Sequence, residues 1–322
     1  MKLSKLLSSH EDKAMYATSD ELVNNDCFIG IELELEKVSA LFGNPVANSF
    51  DPYFWTLIED GSLRDGVEFK FARPLKGATI IKALDVFDSA MNEARKLGIN
   101  PVLSNRTSMH AHVDMRDLST DEINQFILVY MLLESILFNY VGYYRVKNNY
   151  CRPLIGSDFS KTINKLMLEE NLDFRYMLFI NDNTDKYSAL NSNSLTTFGT
   201  LEFRQHPGSF TKSEIVEWLN IILSIKSFIQ SGATIYNIID KDYEDVMNDI
   251  FGYELFQVLN KSGSRMLFES NRSAVNEVIN LPILSDQTKS ILKKNSKVSA
   301  ENSLILKYAN KKEKEEGLCA AL

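Results

Sequence analysis

Side-chain alternation is the feature of this sequence that most constrains its fold. In four short stretches, ionic and apolar residues occupy alternate positions, which is the pattern of a β-strand with one buried face. If the four strands share one sheet, the apolar side chains pack on a core and the ionic side chains collect on the opposite face. The four stretches are Cys27–Lys37, Gly66–Arg73, Met109–Asp114 and Thr200–His206.

The predicted ionic face is rich in groups that ligate metals and phosphates. Successive side chains on one face of a strand lie about 6.6 Å apart, so neighbouring carboxylates suit two adjacent metal ions better than one shared ion. Like charges in a row repel, and we expect a positive partner beside them. In chain order the face contains Glu32, Glu34, Glu36, Glu68, Lys70, His110, His112, Asp114, Glu202, Arg204 and His206.

Two pairs on this face have a specific chemistry. His110 and His112 are two of the four histidines in the chain, and a pair on one strand face often ligates a metal. Arg204 follows Glu202 by two residues, and a guanidinium can bind a phosphoryl or carboxylate group through two hydrogen bonds. Structural interpretations stay open at this point. The carboxylates can form a solvated sheet face, and Arg204 or Glu202 can form a cross-strand ion pair.

Composition excludes several classes of protein. The chain has 322 residues, of which 44% are hydrophobic and 24% charged, as in ordinary globular proteins. Its net charge of −8 argues against a nucleic-acid-binding surface. No run approaches the roughly 18 apolar residues of a membrane span, and the three cysteines lack metal-type spacing. We therefore expect a reduced, soluble, cytoplasmic protein with neither a nucleic-acid nor a membrane partner.

Helical patterns separate the predicted strands. The first helix lies between Gly77 and Gly98, and glycines at both of its ends mark its limits. Two further helices begin with the spacing of a capping box, in which an N-cap hydroxyl precedes a glutamate by three residues. These are Ser119 with Glu122 before Ile123–Tyr144, and Thr211 with Glu214 before Ile215–Gln230.

The sequence divides into three predicted segments. Residues 1–26 are a polar lead-in, and residues 27–232 contain every strand and motif described above. Residues 233–322 lack strand alternation, which predicts a helical C-terminal region followed by a charged tail.

Six motifs occur in an order that resembles the amidoligase family. This family consists of carboxylate–amine ligases with a glutamine synthetase-like fold, and the likeness covers about residues 27–232. The motifs are Gly-Ile-Glu-Leu-Glu (30–34), Glu-Asp-Gly-Ser-Leu (59–63), Gly-Val-Glu-Phe (66–69), Ser-Met-His-Ala-His-Val-Asp (108–114), Tyr-Ser-Ala-Leu-Asn (187–191) and Gly-Thr-Leu-Glu-Phe-Arg (199–204).

The resemblance implies an α+β fold in which a curved antiparallel sheet, packed by helices, forms the floor of the active-site cleft. It also implies ATP and two Mg²⁺ or Mn²⁺ ions as cofactors. Glu32 and Glu34 would supply one ligand to each metal, and Glu68 would join the first. His110 and Glu202 would complete the second metal, which leaves His112 and Arg204 for the phosphates of ATP and the acyl phosphate.

The resemblance further assigns residues to the substrates. Arg145 and Arg152 would bind phosphate or carboxylate groups, and Asn105, Asn191 and Ser62 would bind substrate. Asp60 would bind or deprotonate the incoming amine, although a turn aspartate is an equal alternative. Two departures from the family pattern stand out. Ser108 replaces a glycine before the histidines, and Thr200 stands where glutamine synthetases have an arginine.

The reaction implied is ATP-dependent formation of an amide or isopeptide bond through an acyl phosphate, with release of ADP and phosphate. The expected partners are a small-molecule or peptide carboxylate and an amine. Three alternatives remain at this stage. These are a phosphotransferase of the same broad fold, a metallohydrolase that uses His110 and His112, and a binding protein whose ionic face is structural.

Overall fold

A computed structural model describes residues 26–155 and 186–280. Most of the predicted lead-in and the charged tail lie outside these residues. The strands are β1 (Ile29–Leu35), β2 (Trp55–Glu59), β3 (Val67–Phe71), β4 (Met109–Asp114), β5 (Leu190–Asn191) and β6 (Thr200–Phe203). The helices are α1 (Ala78–Lys96), α2 (Thr120–Val141), α3 (Ser194–Phe198), α4 (Lys212–Gln230), α5 (Tyr243–Leu259) and α6 (Ser264–Asn280).

The six strands form one antiparallel sheet in the order β2-β3-β1-β4-β6-β5. All four strands predicted from alternation are present, and the predicted α+β class with an antiparallel sheet is confirmed. The sequence did not predict β2 or β5, which carry little alternation. The fourth predicted strand is too long, because β6 ends at Phe203 rather than at His206.

The apolar face of the sheet packs against helices at both ends. On the side of β2 and β3, the ring of Phe87 from α1 lies 5.3 Å from the ring of Phe69, measured between centroids. On the side of β6, Phe203 packs edge-to-face against Tyr130 of α2 and Trp218 of α4. Because one face of the sheet is buried by these helices, the ionic side chains are confined to the other face.

The predicted helix starts fare differently. Ser119 and Glu122 form the predicted capping box at the start of α2, and α2 ends before Gly142, whose φ is +108°. The predicted box at Thr211 is wrong, because the Thr211 side chain caps nothing at the start of α4. Glu214 instead accepts a hydrogen bond of 2.6 Å from the hydroxyl of Ser209. The hydroxyl of Ser209 also accepts the backbone N–H of Thr211 at 3.1 Å, so Ser209 links Glu214 to the start of α4.

Helix α2 is the central packing element of the described residues. It is long and apolar enough to cross a membrane by length and composition, but most of it is buried inside the protein. Helices α5 and α6 pack against it and share the same hydrophobic core. The helical prediction for residues beyond 233 therefore agrees with the structure up to Asn280. The division into domains stays a prediction.

Glu134 on α2 anchors the segment that leads to β5. Its carboxylate is buried and accepts the backbone N–H groups of Leu154 at 2.7 Å and Ile155 at 2.9 Å. The hydroxyl of Tyr130 donates to the same group at 3.2 Å. Burial raises the pKa of Glu134 to about 7, although the two backbone donors oppose this shift. This group therefore titrates near neutral pH.

We expect Glu134 to make folding stability depend on pH. Its pKa is higher in the folded chain than the ordinary value of 4.5, so its contribution is complete below pH 4.5 and is lost as the pH rises through 7. The difference in melting temperature between the native chain and Glu134→Gln should therefore decrease as the pH rises across this window. The corresponding change in the free energy of unfolding is about 1–3 kcal/mol. The control is Glu59→Gln at the exposed end of β2. A constant difference for Glu134→Gln would contradict the prediction.

Candidate functional site

Glu32 lies at the centre of the ionic face. The register of the sheet places it opposite Lys70 on β3 and opposite His110 on β4. Its Oε2 lies 3.1 Å from His110 Nδ1, and its Oε1 lies 3.1 Å from Lys70 Nζ and 3.7 Å from His112 Nε2. Burial alone would raise the pKa of Glu32, but hydrogen bonds to His110 and His112 hold this pKa well below its usual range. The carboxylate is ionised.

Glu202 on β6 is held in place by two neighbours. Asn191 Nδ2 donates a hydrogen bond of 2.6 Å to Glu202 Oε2, and Arg204 Nη1 donates to Glu202 Oε1. Burial opposes ionisation of Glu202, but the nearby His110 and Arg204 lower its pKa below the usual value. Asn191, which was predicted to bind substrate, is itself buried and orients this carboxylate instead.

Three side chains from three strands could hold one metal ion. Glu32, His112 and Glu202 each offer a ligand atom, and these atoms all lie within 4.8 Å of one another. Thr200 Oγ1 lies 3.1 Å from His112 Nδ1, which leaves Nε2 of the same ring facing Glu32. The prediction assigned His110 to the metal and His112 to phosphate. The geometry of this group adds His112 to the candidate ligands. His110 Nδ1 lies 3.1 Å from Glu32 Oε2 and 3.5 Å from Glu202 Oε1, and its role at the metal stays a prediction.

Gly30 provides space for this arrangement. It lies opposite His112 in the register of β1 and β4. A Cβ atom added at Gly30 would lie 3.3 Å from the Cβ of His112, closer than side chains normally approach each other. The glycine that opens the first motif therefore lets the histidine lie close over β1.

The predicted partners Glu34 and Glu68 lie opposite each other on β1 and β3. Lys70 Nζ lies 3.1 Å from Glu68 Oε1, as close as it lies to Glu32. Burial raises the pKa of Glu34, and Asp60 adds to this effect. Burial, followed by the charge of Glu32, raises the pKa of Glu68 to about 7. Lys70 is the positive partner that the repelling carboxylates required.

Arg204 lies where its guanidinium can reach the ionic face. Its side chain is partly buried, Nε donates to the carbonyl oxygen of Tyr150 at 3.2 Å, and Nη1 lies 3.5 Å from His110 Nδ1. Arg204 does form an ion pair, as considered from the sequence, but its partner is Glu202, two residues earlier in the chain, rather than a residue across the sheet. An anionic group that binds beside Glu202 can therefore replace this carboxylate as the partner of Arg204.

Arg145 does not reach the ionic face, in contrast to its predicted role in binding phosphate. Its side chain is only 1% exposed. Nε donates to the carbonyl of Gln205 at 3.0 Å, and Nη2 donates to the carbonyl of Arg204 and the hydroxyl of Ser108, both at 3.1 Å. These donors are used to hold the chain after β6, so Arg145 has a structural role. Ser108, noted as a departure from the family pattern, is one of its partners.

Arg152 lies at the edge of the site beside β5. Its backbone N–H donates to the carbonyl of Tyr187 at 2.8 Å, and its own carbonyl accepts from Ala189 at 2.7 Å. Ala189 in turn accepts the backbone N–H of Arg204 at 2.8 Å. The exposed side chain of Arg152 is therefore anchored close to the strand end that carries Arg204. Its predicted role in binding an anion stays open.

Three predicted substrate residues lie on two loops at the margin of this face. Asp60 Oδ1 accepts the backbone N–H of Ser62 at 2.8 Å, so it forms the turn considered as an alternative, and its charge still acts on Glu34. Arg106 Nη1 donates to the carbonyl of Ser62 at 2.9 Å, which joins this turn to the loop that carries Asn105. The side chains of Ser62 and Asn105 are exposed.

The outer members of the predicted face have structural roles. Glu36 is buried and accepts the backbone N–H of Arg64 at 3.1 Å, and Asp114 accepts three hydrogen bonds from the guanidinium and backbone N–H of Arg116. His206 packs against Trp218 in the core, because the strand ends before it. Burial lowers the pKa of His206 to about 4. Without these three residues, the ionic cluster is confined to the central part of the predicted face.

A comparison with protein families found a match to part of the chain. Residues 72–226 match the model of a family described as "Putative amidoligase enzyme", which confirms the resemblance seen in the motifs. The matched range begins directly after β3, so it includes both histidines, Glu202 and Arg204 but not the glutamates of β1 and β3. Residues 72–226 are therefore similar to the amidoligase family. At the coarse level this supports a carboxylate–amine ligase.

One solved structure is similar to the chain over much of its length. It is titled "Crystal structure of novel glutamine synthase homolog" and shares 12% sequence identity with this chain. The alignment covers 77% of this chain and 70% of that one, with a TM-score of 0.45. A search of curated proteins found no match.

The two predicted arginines should behave differently on substitution. Arg145→Met leaves two buried carbonyl groups without their donor and should lower the free energy of unfolding by about 2–5 kcal/mol. Arg152→Met changes an exposed side chain, whose polar contacts contribute little, and should lower it by about 1 kcal/mol or less. Urea unfolding of both variants makes the comparison. Equal stability of the two variants would argue against the structural role of Arg145.

Proposed function

We propose that this protein is an ATP-dependent, ADP-forming carboxylate–amine ligase. The observation that carries the proposal is the convergence of Glu32, His112 and Glu202 within metal-ligand distance, beside Arg204. The amidoligase match over residues 72–226 supports the same conclusion. The proposed substrates are a small-molecule or peptide carboxylate and an amine.

The donor set suits a hard divalent ion. Two ionised carboxylates and one imidazole lie together on a partly buried face, and Mg²⁺ or Mn²⁺ prefers oxygen-rich ligation of this kind. Such an ion, when bound, neutralises charge on the phosphates of ATP. Glu32, His112 and Glu202 would hold it, and Asn191 and Thr200 would keep two of these ligands in orientation.

The remaining residues of the face act on the substrates. An oxygen of the substrate carboxylate attacks the γ-phosphorus of ATP, ADP departs, and an acyl phosphate forms. In this step Arg204 exchanges Glu202 for the transferring phosphoryl group, to which its planar guanidinium donates two hydrogen bonds. His110, close to both Glu32 and Arg204, donates to the same group.

The second step joins the amine to the acyl group. The neutral amine nitrogen attacks the acyl carbon, the phosphate leaves with the proton that this nitrogen loses, and an amide forms. Asp60, whose charge acts on Glu34 at the margin of the face, takes a proton from the ammonium form of the amine. Ser62 and Asn105 on the adjoining loops bind substrate in this scheme, and Arg152 binds a carboxylate or phosphate at the opposite edge.

Oxygen transfer tests the proposed reaction. A substrate acid labelled with ¹⁸O in its carboxylate, supplied with ATP, Mg²⁺ and a competent amine, should place one labelled oxygen in the released phosphate. The reason is that one carboxylate oxygen leaves with the phosphoryl group. A metallohydrolase would release no phosphate from ATP in proportion to product, and a phosphotransferase would keep the phosphoryl group on its product. Amide formation with unlabelled phosphate would rule out the acyl phosphate.

The metal group can be tested without a known substrate. Glu202→Gln removes one charged ligand and should weaken binding of Mg²⁺ with a non-hydrolysable ATP analogue by about tenfold or more. Isothermal titration calorimetry measures the affinity, and a melting curve verifies that the variant stays folded. Glu59→Gln, on the exposed end of β2, is the matched control and should bind like the native chain. Native affinity in Glu202→Gln would remove this residue from the site.

A further inference from the structure

Lys70 inserts a fixed positive charge into the carboxylate cluster. Its Nζ lies 3.1 Å from Glu32 Oε1 and 3.1 Å from Glu68 Oε1, so the ammonium bridges β1 and β3. The register places Lys70 directly opposite Glu32, and alternation puts it on the same face as Glu68. The Lys70 side chain is 33% exposed, while both carboxylates are more buried. The position of this charge therefore follows from the sheet itself.

This charge occupies the place where a second metal ion would bind. If Glu32 joins His112 and Glu202 around one ion, the carboxylates left for another are Glu34 and Glu68, which lie opposite each other. Glu68 is already paired with Lys70. A divalent ion bound to Glu68 would lie close to the ammonium, and like charges repel strongly on a face that is partly shielded from water.

The other candidate ion is not excluded in this way. Its ligands come from β1, β4 and β6, whereas Lys70 is on β3, on the far side of β1. Glu32 Oε1 lies 3.1 Å from Lys70 Nζ and 3.7 Å from His112 Nε2, and Glu32 Oε2 lies 3.1 Å from His110 Nδ1, so the carboxylate stands between Lys70 and both histidines of β4. Glu32 can therefore face an ion and an ammonium at once.

We propose that the ammonium of Lys70 replaces one of the two metal ions, so that this protein binds a single divalent ion at Glu32, His112 and Glu202. This inference rests on the proposed function and deepens it. Lys70 is a positioning residue that supplies, beside the phosphates, the positive charge that a second ion would otherwise bring. Its side chain also keeps Glu32 and Glu68 from repelling each other before any ligand binds.

Counting bound Mn²⁺ tests the inference. The full chain is titrated with Mn²⁺ alone, and electron paramagnetic resonance measures the ions that remain free. We expect one bound ion per native chain. Lys70→Met removes the charge and keeps an unbranched side chain of similar length. This variant should bind two ions per chain and show the spectrum of a magnetically coupled pair.

Three further variants separate this effect from a general change in charge. Lys70→Arg keeps the positive charge and should bind one ion. The double variant Lys70→Met with Glu68→Gln loses a ligand of the second ion and should return to one. Lys212→Met removes a lysine that pairs with Asp85 at 2.8 Å on the surface, far from this face in the fold, and should bind one ion.

The possible results have distinct meanings. Two ions in the native chain, or one ion in Lys70→Met with an unchanged melting curve, would overturn the role of Lys70 while the proposed ligase function stands. No bound ion in either chain would overturn both this inference and the metal group of the proposed function. One ion in the native chain without transfer of labelled oxygen to phosphate would contradict the ligase reaction and leave the count intact.

Discussion

The register of the central strands is the constraint on which the whole site depends. Side chains alternate between the two faces, so a slip of one residue in β1 would turn Glu32 into the core and expose its apolar neighbours. Burial of Ile31 and Leu33 makes such a slip costly. The same pairing that buries these residues brings Glu32 beside His110 and Lys70. The same register therefore determines both the packing of the core and the assembly of the site.

Three carboxylates of this face have a cationic neighbour before any ligand arrives. Glu202 is paired with Arg204, and Glu68 and Glu32 share Lys70. A cluster of carboxylates without these partners would destabilise the sheet by repulsion. Because Glu32, Glu68 and Glu202 each have a cationic neighbour within the fold, the chain can assemble this part of the site by ordinary folding. A ligand that binds here then replaces an existing ion-pair partner and does not neutralise an unpaired charge.

The sequence predicted the face of the sheet well because alternation is a local signal. It placed Glu32, His112 and Glu202 on one surface, and the structure brings them together. It failed where a role depends on contacts between distant residues. In the sequence, Arg145 is indistinguishable from an arginine that binds anions. Its hydrogen-bond partner Gln205 is 60 positions away in the chain, so the contact is not visible in the local sequence. Asn191 orients Glu202 because β5 pairs with β6. The strand β5 has only two residues, which is too short to be recognised from alternation in the sequence.

At Gly30, the residue that would best stabilise the strand differs from the residue that the site requires. A glycine inside a strand weakens it, and replacement by alanine or valine would favour the extended backbone. At this position the added atom would crowd the Cβ atom of His112. A screen that selects only for resistance to heat would therefore tend to enrich variants in which this histidine is displaced. Directed evolution of this protein for robustness should select for binding at the same time.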